Sequence, residues 1–157
     1  PEHAIWRMRK KPAFIERLMK RLPGRAAQDD ISFQSHGELT LGVEIELQLI
    51  DPHSLNLVSR SEEFLSAGSR YSKLKPELFQ SMAEINTDKC THVQQVESDL
   101  TESFNVLDGL AHKLGLALAT TACHPFSRYS DSVVTPTPRY NELIDRNQWL
   151  ARRTNVY

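Results

Sequence analysis

The sequence predicts an α+β fold in which helices pack on an antiparallel β-sheet. Three stretches support this class: residues 39–50 and 78–85 resemble β-strands, and residues 91–114 repeat apolar side chains at helical spacing. The elements do not alternate with regular β-α-β spacing, and the sequence has no glycine-rich phosphate loop. It therefore supports neither a dinucleotide-binding fold nor a P-loop.

The composition is that of a soluble globular protein. With 157 residues, 39% of them hydrophobic, the chain is long enough to bury one core. It has no apolar run of membrane-spanning length and no signal-peptide pattern. Its two cysteines, Cys90 and Cys123, are too far apart for a C-x-x-C motif, so neither a disulfide framework nor a thiolate metal site is indicated. A reducing, cytoplasmic location is the simplest interpretation.

Residues 1–37 form a basic segment of their own. Residues 1–25 hold eight Lys or Arg side chains against two Glu, and the apolar side chains between Phe14 and Leu22 share one helical stripe. We expect an amphipathic helix and a linker, with the stripe docked on the same protein or on a subunit neighbour. Binding of the basic face to phosphates or to a membrane surface is the alternative. The second domain is expected over residues 38–157.

The first strand carries two glutamates on one side. In an extended chain Glu44 and Glu46 point one way, about 7 Å apart, while Val43, Ile45 and Leu47 point the other way. Two such carboxylates repel each other unless a cation lies between them. The alternation predicts either a solvent-facing polar edge or a ligand pair for a hard metal ion.

The following segment is expected to fold back and return to the sheet. Residues 51–54, Asp-Pro-His-Ser, are typical of a turn, and residues 55–58 then make the second strand of a hairpin. A helix is predicted over residues 61–72. The segment Leu78–Ile85 reads as a strand in which Glu84 is half-buried, and a bare carboxylate there needs a partner.

A long helix is predicted from Thr91, which forms a capping box with Gln94, to a stop at Gly115. Residues 116–121 then read as a short buried strand that delivers His124 into a loop. That histidine is either a hydrogen-bonded structural residue or a catalytic one.

A final helix starts with Thr137 as its N-cap and Pro138 as its first residue. Its arginines fall on the polar side or at the end of the helix.

Carboxylates on the open face of an antiparallel sheet suit Mg²⁺. This ion takes oxygen ligands from a few carboxylates together with substrate phosphates. Phosphoryl transfer is then the leading reaction class, because metal ions that bridge phosphate oxygens supply much of its catalysis.

Five sequence blocks, in this order, resemble the amino-terminal part of the bacterial carboxylate-amine ligases. These are the second type of glutamate-cysteine ligase and are relatives of glutamine synthetase. The resemblance covers residues 38–157 and leaves out residues 1–37. The blocks are Gly42–Leu47, Glu77–Ser81 continuing through Glu84–Thr87, His124–Phe126, Thr135–Tyr140 and Trp149–Arg153.

The resemblance implies part of a glutamine synthetase-like catalytic domain with ATP and Mg²⁺ as cofactors and Mn²⁺ as a substitute. The implied reaction phosphorylates the γ-carboxylate of a substrate such as glutamate, and the amine of cysteine or another substrate then attacks the acyl phosphate. Glutathione biosynthesis is the implied setting. We expect small-molecule partners and no nucleic acid.

The resemblance also assigns site residues, although it singles out no catalytic one. Its metal ligands correspond to Glu44, Glu46 and Glu84. Weaker assignments follow from the same blocks: Glu77 as a neighbour of the metal or ATP, His124 and Arg128 as substrate contacts, and Arg152 and Arg153 as phosphate contacts. The family usually has Glu where this chain has Ile45, a change expected to affect packing.

The family continues, after a stretch like Asn155-Val156-Tyr157, into a His-x-His-x-Gly block that this sequence lacks. We therefore expect one wall of an active site and little turnover by this chain alone, with the rest in a longer parent protein or a partner chain. A homodimer is a further hypothesis. The alternative function is a non-catalytic interaction module that works through the basic amino-terminal helix.

Overall fold

A four-stranded antiparallel sheet organises the part of the chain that the structure, a computed structural model, describes, residues 37–156. The spatial order of its strands is β2-β3-β1-β4. Their bounds are Glu44–Ile50 for β1, Leu74–Pro76 for β2, Met82–Asn86 for β3 and Ala117–Ala119 for β4. The predicted α+β class with an antiparallel sheet and packed helices is confirmed.

Three helices accompany the sheet within these residues: α1 (Ser61–Ala67), α2 (Val93–Lys113) and α3 (Pro138–Ala151). A short 3₁₀ turn spans Tyr129–Asp131. No helix within residues 37–156 has the length and apolar character needed to cross a membrane.

The core lies between one face of the sheet and helices α1 and α2. Leu47 and Leu49 of β1 are fully buried, as the alternating pattern requires. The cluster consists of Leu47, Leu49, Phe64, Leu74, Ala83, Ile85, Leu107, Ala111 and Leu116. Burying this face leaves the opposite face of β1 and β3 to carry polar side chains.

The start of α2 differs from the prediction. The side chain of Gln95, not Gln94, accepts hydrogen bonds from the Thr91 backbone N–H (2.7 Å) and hydroxyl (3.1 Å), and no side chain caps the helix at His92. Val93 is exposed, so the apolar stripe packs only further along the helix. Gly115 ends this segment with φ 66°, the left-handed conformation expected there.

The strand predicted over residues 78–85 begins later, at Met82. The segment before it turns away, because the Gln80 N–H donates to Val133 O at 2.8 Å and Thr135 N–H donates to Leu78 O at 2.8 Å. The return strand predicted over residues 55–58 is also wrong, because it is reduced to a single bridge between Ile50 and Leu57.

The helix predicted over residues 61–72 is shorter, ending at Ala67. The turn after β1 has the predicted chemistry. Asp51 Oδ1 accepts from the backbone N–H groups of His53 (3.1 Å) and Ser54 (2.7 Å).

Helix α3 starts as predicted, since the Thr137 hydroxyl accepts from the Tyr140 N–H at 3.3 Å and Pro138 is the first helical residue. It bends at Gln148, which has φ 50°. A second apolar cluster joins α3 to the start of β3 and the segment before it, and contains Leu78, Phe79, Met82, Tyr140, Ile144 and Ala151. Met82 precedes Glu84 by two residues on the same strand face, so α3 lies beside the polar face of the sheet.

The predicted basic amphipathic helix and linker of residues 1–37 lie outside the described residues, except for Gly37. The interaction-module hypothesis depends on that segment and stays a prediction.

Candidate functional site

The polar face of the sheet brings glutamates of two strands together. The register places Glu46 of β1 directly opposite Glu84 of β3, and Glu44 opposite Asn86. Directly opposed residues share one face, with Cβ atoms about 4.5–5.5 Å apart. Glu46 is exposed and Glu84 half-buried. Like charges in this arrangement destabilise a sheet, and Lys75 of β2, which lies opposite Glu84 on its other side, offsets part of this repulsion. The acidic pair is thus a candidate site for a cation.

Glu77 is a third carboxylate of this group, lying just after β2. Its Oε2 accepts the Leu78 backbone N–H at 3.0 Å. Partial burial raises the pKa of the Glu77 carboxyl, and the charges of Glu46 and Glu84 raise it further, while the Leu78 N–H and Arg139 lower it. Glu46, Glu77 and Glu84 therefore form one electrostatic group, which we call the carboxylate group.

Helix α3 borders the carboxylate group through its first turn. The Tyr140 hydroxyl donates to Pro76 O at 3.0 Å, which ties α3 to the edge strand β2. Burial raises the pKa of Tyr140, and the nearby Glu77 raises it too, while Arg139 lowers it. Sequence reasoning gave Arg139 and Tyr140 no role. Both residues belong to the Thr135–Tyr140 block, one of the five blocks shared with the ligases, and this membership could have indicated a role at the site.

Glu44 lies on the same face of β1, two residues before Glu46. Its Oε1 accepts from Asn86 Nδ2 at 3.1 Å, whereas Asn86 Oδ1 is buried and has no partner. Glu46 and Glu84, the other two predicted metal ligands, both raise the pKa of Glu77. The structure thus places Glu44 on the predicted face but beside Asn86.

The side chains fit a hard cation in chemical type. Carboxylate oxygens are what Mg²⁺ prefers, and this ion is usually held by one or two carboxylates plus waters and substrate phosphates. Among residues 37–156, no three His, Cys, Asp or Glu side chains are arranged to hold a metal ion by themselves. The face therefore suits a cation that takes most of its ligands from waters and substrate phosphates. It does not suit a cation whose ligands all come from the protein.

His124 is buried, and both of its ring nitrogens contact the backbone. Nε2 lies 2.9 Å from Leu55 O, and the Ser127 N–H donates to Nδ1 at 3.1 Å. Since a carbonyl oxygen can only accept, Nε2 carries the proton. The histidine thus joins the loop after β1 to residues 124–127, and neither nitrogen is left to bind a substrate.

The three predicted arginines lie elsewhere. Arg128 lines a cavity of about 240 Å³ and makes no ion pair within residues 37–156. Arg152 is exposed at the end of α3. The Arg153 guanidinium lies over the ring of Tyr129, 4.3 Å from its centroid, and 5.7 Å from that of Trp149. Within the described chain, no ion pair joins these arginines to the carboxylate group.

Comparison with known proteins yields consistent matches. Proteins named "Putative glutamate--cysteine ligase 2" from Gloeobacter violaceus and Bdellovibrio bacteriovorus are each 41% identical to this chain, over 131 and 128 residues. Each alignment covers 81% of this chain but only 35% and 34% of the relative. A relative of the same name from Bordetella parapertussis is 33% identical over 132 residues, covering 82% of this chain and 32% of its own length.

The chain therefore spans about a third of the length of these curated relatives and matches their amino-terminal part. A family profile, Glutamate-cysteine ligase family 2 (GCS2), matches residues 40–156. Because this match covers most of the chain, the protein belongs to glutamate-cysteine ligase family 2.

Proposed function

We propose that this chain supplies the metal-binding wall of an ATP-dependent carboxylate-amine ligase of the glutamate-cysteine type. The observation that carries the proposal is the carboxylate group: Glu46 faces Glu84 across two strands, and both raise the pKa of the half-buried Glu77. Family membership supports the same chemistry.

The proposed reaction has two steps. An oxygen of the γ-carboxylate of glutamate attacks the terminal phosphorus of ATP, and ADP leaves, which gives an acyl phosphate. The unprotonated amine of cysteine then attacks the acyl carbon, inorganic phosphate departs, and the amine loses a proton as the amide forms. Both steps build negative charge on phosphate oxygens, which a positively charged site must stabilise.

Glu46 and Glu84 are the proposed ligands of Mg²⁺, or of Mn²⁺ in its place, with Glu77 as their neighbour and Glu44 at the margin of the site. The ion would supply charge neutralisation for the phosphates of ATP. The carboxylates of this chain would hold that ion at the polar face of the sheet. Arg139, which lowers the pKa of Glu77, adds a fixed positive charge at the border of the same face.

The remaining walls are proposed to come from sequence that corresponds to the other two thirds of the relatives, in a longer chain or in a partner chain. His124 then acts on the site through the loops that it joins. Arg152 and Arg153 stay proposals for phosphate contact, with Arg153 already stacked on two aromatic rings. We propose a cytoplasmic location for the whole protein.

The proposal is tested by steady-state ADP release, measured with the longest available version of the protein. Continued turnover should require both glutamate and cysteine, because cysteine discharges the acyl phosphate formed in the first step. Glu46→Gln should lower the rate at least about 10-fold, because the amide keeps the size but loses the charge. Glu97→Gln, on the exposed side of α2, is the matched control and should leave the rate unchanged.

Unchanged activity in Glu46→Gln would remove that residue from the site. Steady-state ADP release that is no faster with both amino acids than with glutamate alone would refute the ligase reaction. The interaction-module alternative predicts instead no ADP release and salt-dependent binding to nucleic acid or anionic lipid.

A further inference from the structure

A second candidate site lies on the helical side of the core, in a groove between α1 and α2. The groove has a volume of about 450 Å³. This lies within the range of about 300–1,000 Å³ that is typical of sites for small organic molecules. Since α1 and α2 cover the core face of the sheet, the core separates this groove from the carboxylate group on the other face.

Part of the groove lining is apolar. Leu107, which is fully buried, and the half-buried Leu110 line it from α2, and the side chain of Val106 is 45% exposed there. The half-buried Tyr71 lines it from the segment after α1, with its hydroxyl held by Ser103 at 2.6 Å. An apolar ligand would be stabilised by removing the Val106 and Leu110 side chains from water.

The charged side chains that line the groove are both positive. Arg70 follows α1 and Lys113 is the last residue of α2, and both are exposed. Neither makes an ion pair within residues 37–156, and no Asp or Glu of that range lines the groove. The two side chains therefore complement an anionic group, and a guanidinium can hold a carboxylate or a phosphate through two hydrogen bonds.

Gly109 keeps one side of the groove open. It lies in the interior of α2, where glycine weakens a helix relative to alanine. A Cβ placed on Gly109 would meet no atom of another described element within 4 Å, so packing within residues 37–156 does not require a glycine there. Because Gly109 lines the groove, its missing side chain leaves room for a ligand to lie against the helix backbone.

We propose that this groove binds a small amphipathic anion, a free molecule with a short apolar body and a carboxylate or phosphate at one end. The apolar body packs on Val106, Leu110 and the backbone at Gly109, and the anionic end pairs with Arg70 and Lys113. The binding requires neither ATP nor a metal ion. The inference therefore goes beyond the proposed function and does not depend on it.

Calorimetric titration of the 157-residue chain at pH 7 and low ionic strength, without ATP or metal, tests the proposal. Octanoate and monooctyl phosphate are the probes. Octylamine has the same apolar body with the opposite charge, and acetate lacks the body. At least one probe should bind saturably, and octylamine and acetate should each bind at least ten-fold more weakly. Equal binding of octylamine or acetate would overturn the proposal, as would no saturable binding of either probe.

Vesicles separate a free ligand from a membrane surface. Sedimentation is measured with vesicles of phosphatidylcholine alone and with vesicles that also contain phosphatidylserine. Binding to the anionic vesicles by a chain that binds neither probe would assign the positive charges to a membrane surface and overturn the proposal.

Charge variants locate the anionic end of the ligand. The double variant Arg70→Gln/Lys113→Gln should bind the probe at least ten-fold more weakly, because it removes both charged partners. The control Lys89→Gln/Arg146→Gln makes the same change of net charge at exposed positions that do not line the groove, and it should bind normally. An equal loss of affinity in both double variants would indicate attraction to net charge alone and would overturn the assignment.

Gly109→Leu locates the apolar body, because its side chain fills the groove. It should bind the probe at least ten-fold more weakly while circular dichroism shows a folded chain. Thr101→Leu, at an exposed position of α2 outside the groove, is the control and should keep its affinity. Unchanged affinity in Gly109→Leu would overturn the placement of the ligand.

Glu46→Gln tests whether the groove is independent of the carboxylate group. This variant should bind the probe as the wild-type chain does, and a ten-fold loss would contradict the separation of the two sites. Probe binding by a protein that releases no ADP would contradict the ligase proposal alone. ADP release by a protein that binds neither probe would contradict this inference alone.

Discussion

Replacing His124 by Ala decides whether this histidine is a structural residue or a substrate contact. The imidazole is 4% exposed, and its nitrogens bond Leu55 O at 2.9 Å and the Ser127 N–H at 3.1 Å. Each such bond contributes about 1 kcal/mol, and a backbone group left unpaired adds to the loss. The edge-on contact with Phe126, at 4.6 Å between ring centroids, contributes about 0.5–1.5 kcal/mol more.

The free energy of unfolding of His124→Ala should therefore fall by about 3 kcal/mol. Urea unfolding at pH 7, followed by circular dichroism, measures this loss. His53→Ala, in the exposed turn after β1, is the control and should change stability by less than about 0.5 kcal/mol. A His124→Ala variant of normal stability that has lost ligase activity would refute the structural role and restore the histidine as a substrate contact.

Three further variants test other contacts. Glu77→Gln should raise the free energy of unfolding by up to about 1 kcal/mol at pH 7. Because the pKa of Glu77 is raised in the fold, urea titrations should show this gain vanish below about pH 4, where the carboxyl is protonated in both states. Asp99→Asn breaks the ion pair with Lys73, which lowers the pKa of Asp99, so its loss of about 1 kcal/mol should shrink as the pH falls below about 4; a pH-independent loss would contradict this. Gly68→Ala places a Cβ 2.6 Å from Leu74 Cδ2 and should lower stability by about 1 kcal/mol in the same assay; a more stable variant would refute this packing.

The carboxylates on the sheet could be predicted because a strand has a fixed period. Alternation alone places Glu44 and Glu46 on one side of β1. Which of them faces Glu84 depends on register, which is set by turns and core packing far along the chain. The structure pairs Glu46 with Glu84 and leaves Glu44 opposite Asn86. This long-range pairing could not be read from the local pattern.

The edge of the sheet could not be predicted in the same way. β2 is three residues long and ends in Pro76, which lacks a backbone N–H and is disfavoured inside a central strand. Its sequence therefore reads as a connection. Glu77 lies near Glu46 and Glu84 because the chain leaves β2 at that point. A three-residue strand is too short to show the alternating pattern from which this position could be predicted.

Helix termini were similarly ambiguous. Gln94 and Gln95 are adjacent and chemically identical, and the choice between them depends on where the first turn of α2 begins. The end of the same helix was predictable, because Gly115 adopts a left-handed conformation that other residues rarely reach.

The carboxylate group is tested most directly by Mn²⁺ titration of the 157-residue chain, followed by the loss of the EPR signal of free Mn²⁺. The wild-type chain should bind the ion weakly, because it supplies only part of the ligand set, and should release protons as it binds, since a cation lowers the raised pKa of Glu77. Glu46→Gln and Glu84→Gln should each weaken binding at least about 10-fold, whereas Glu97→Gln should not. Equal Mn²⁺ affinity in all four proteins would contradict the assignment of Glu46 and Glu84 as metal ligands.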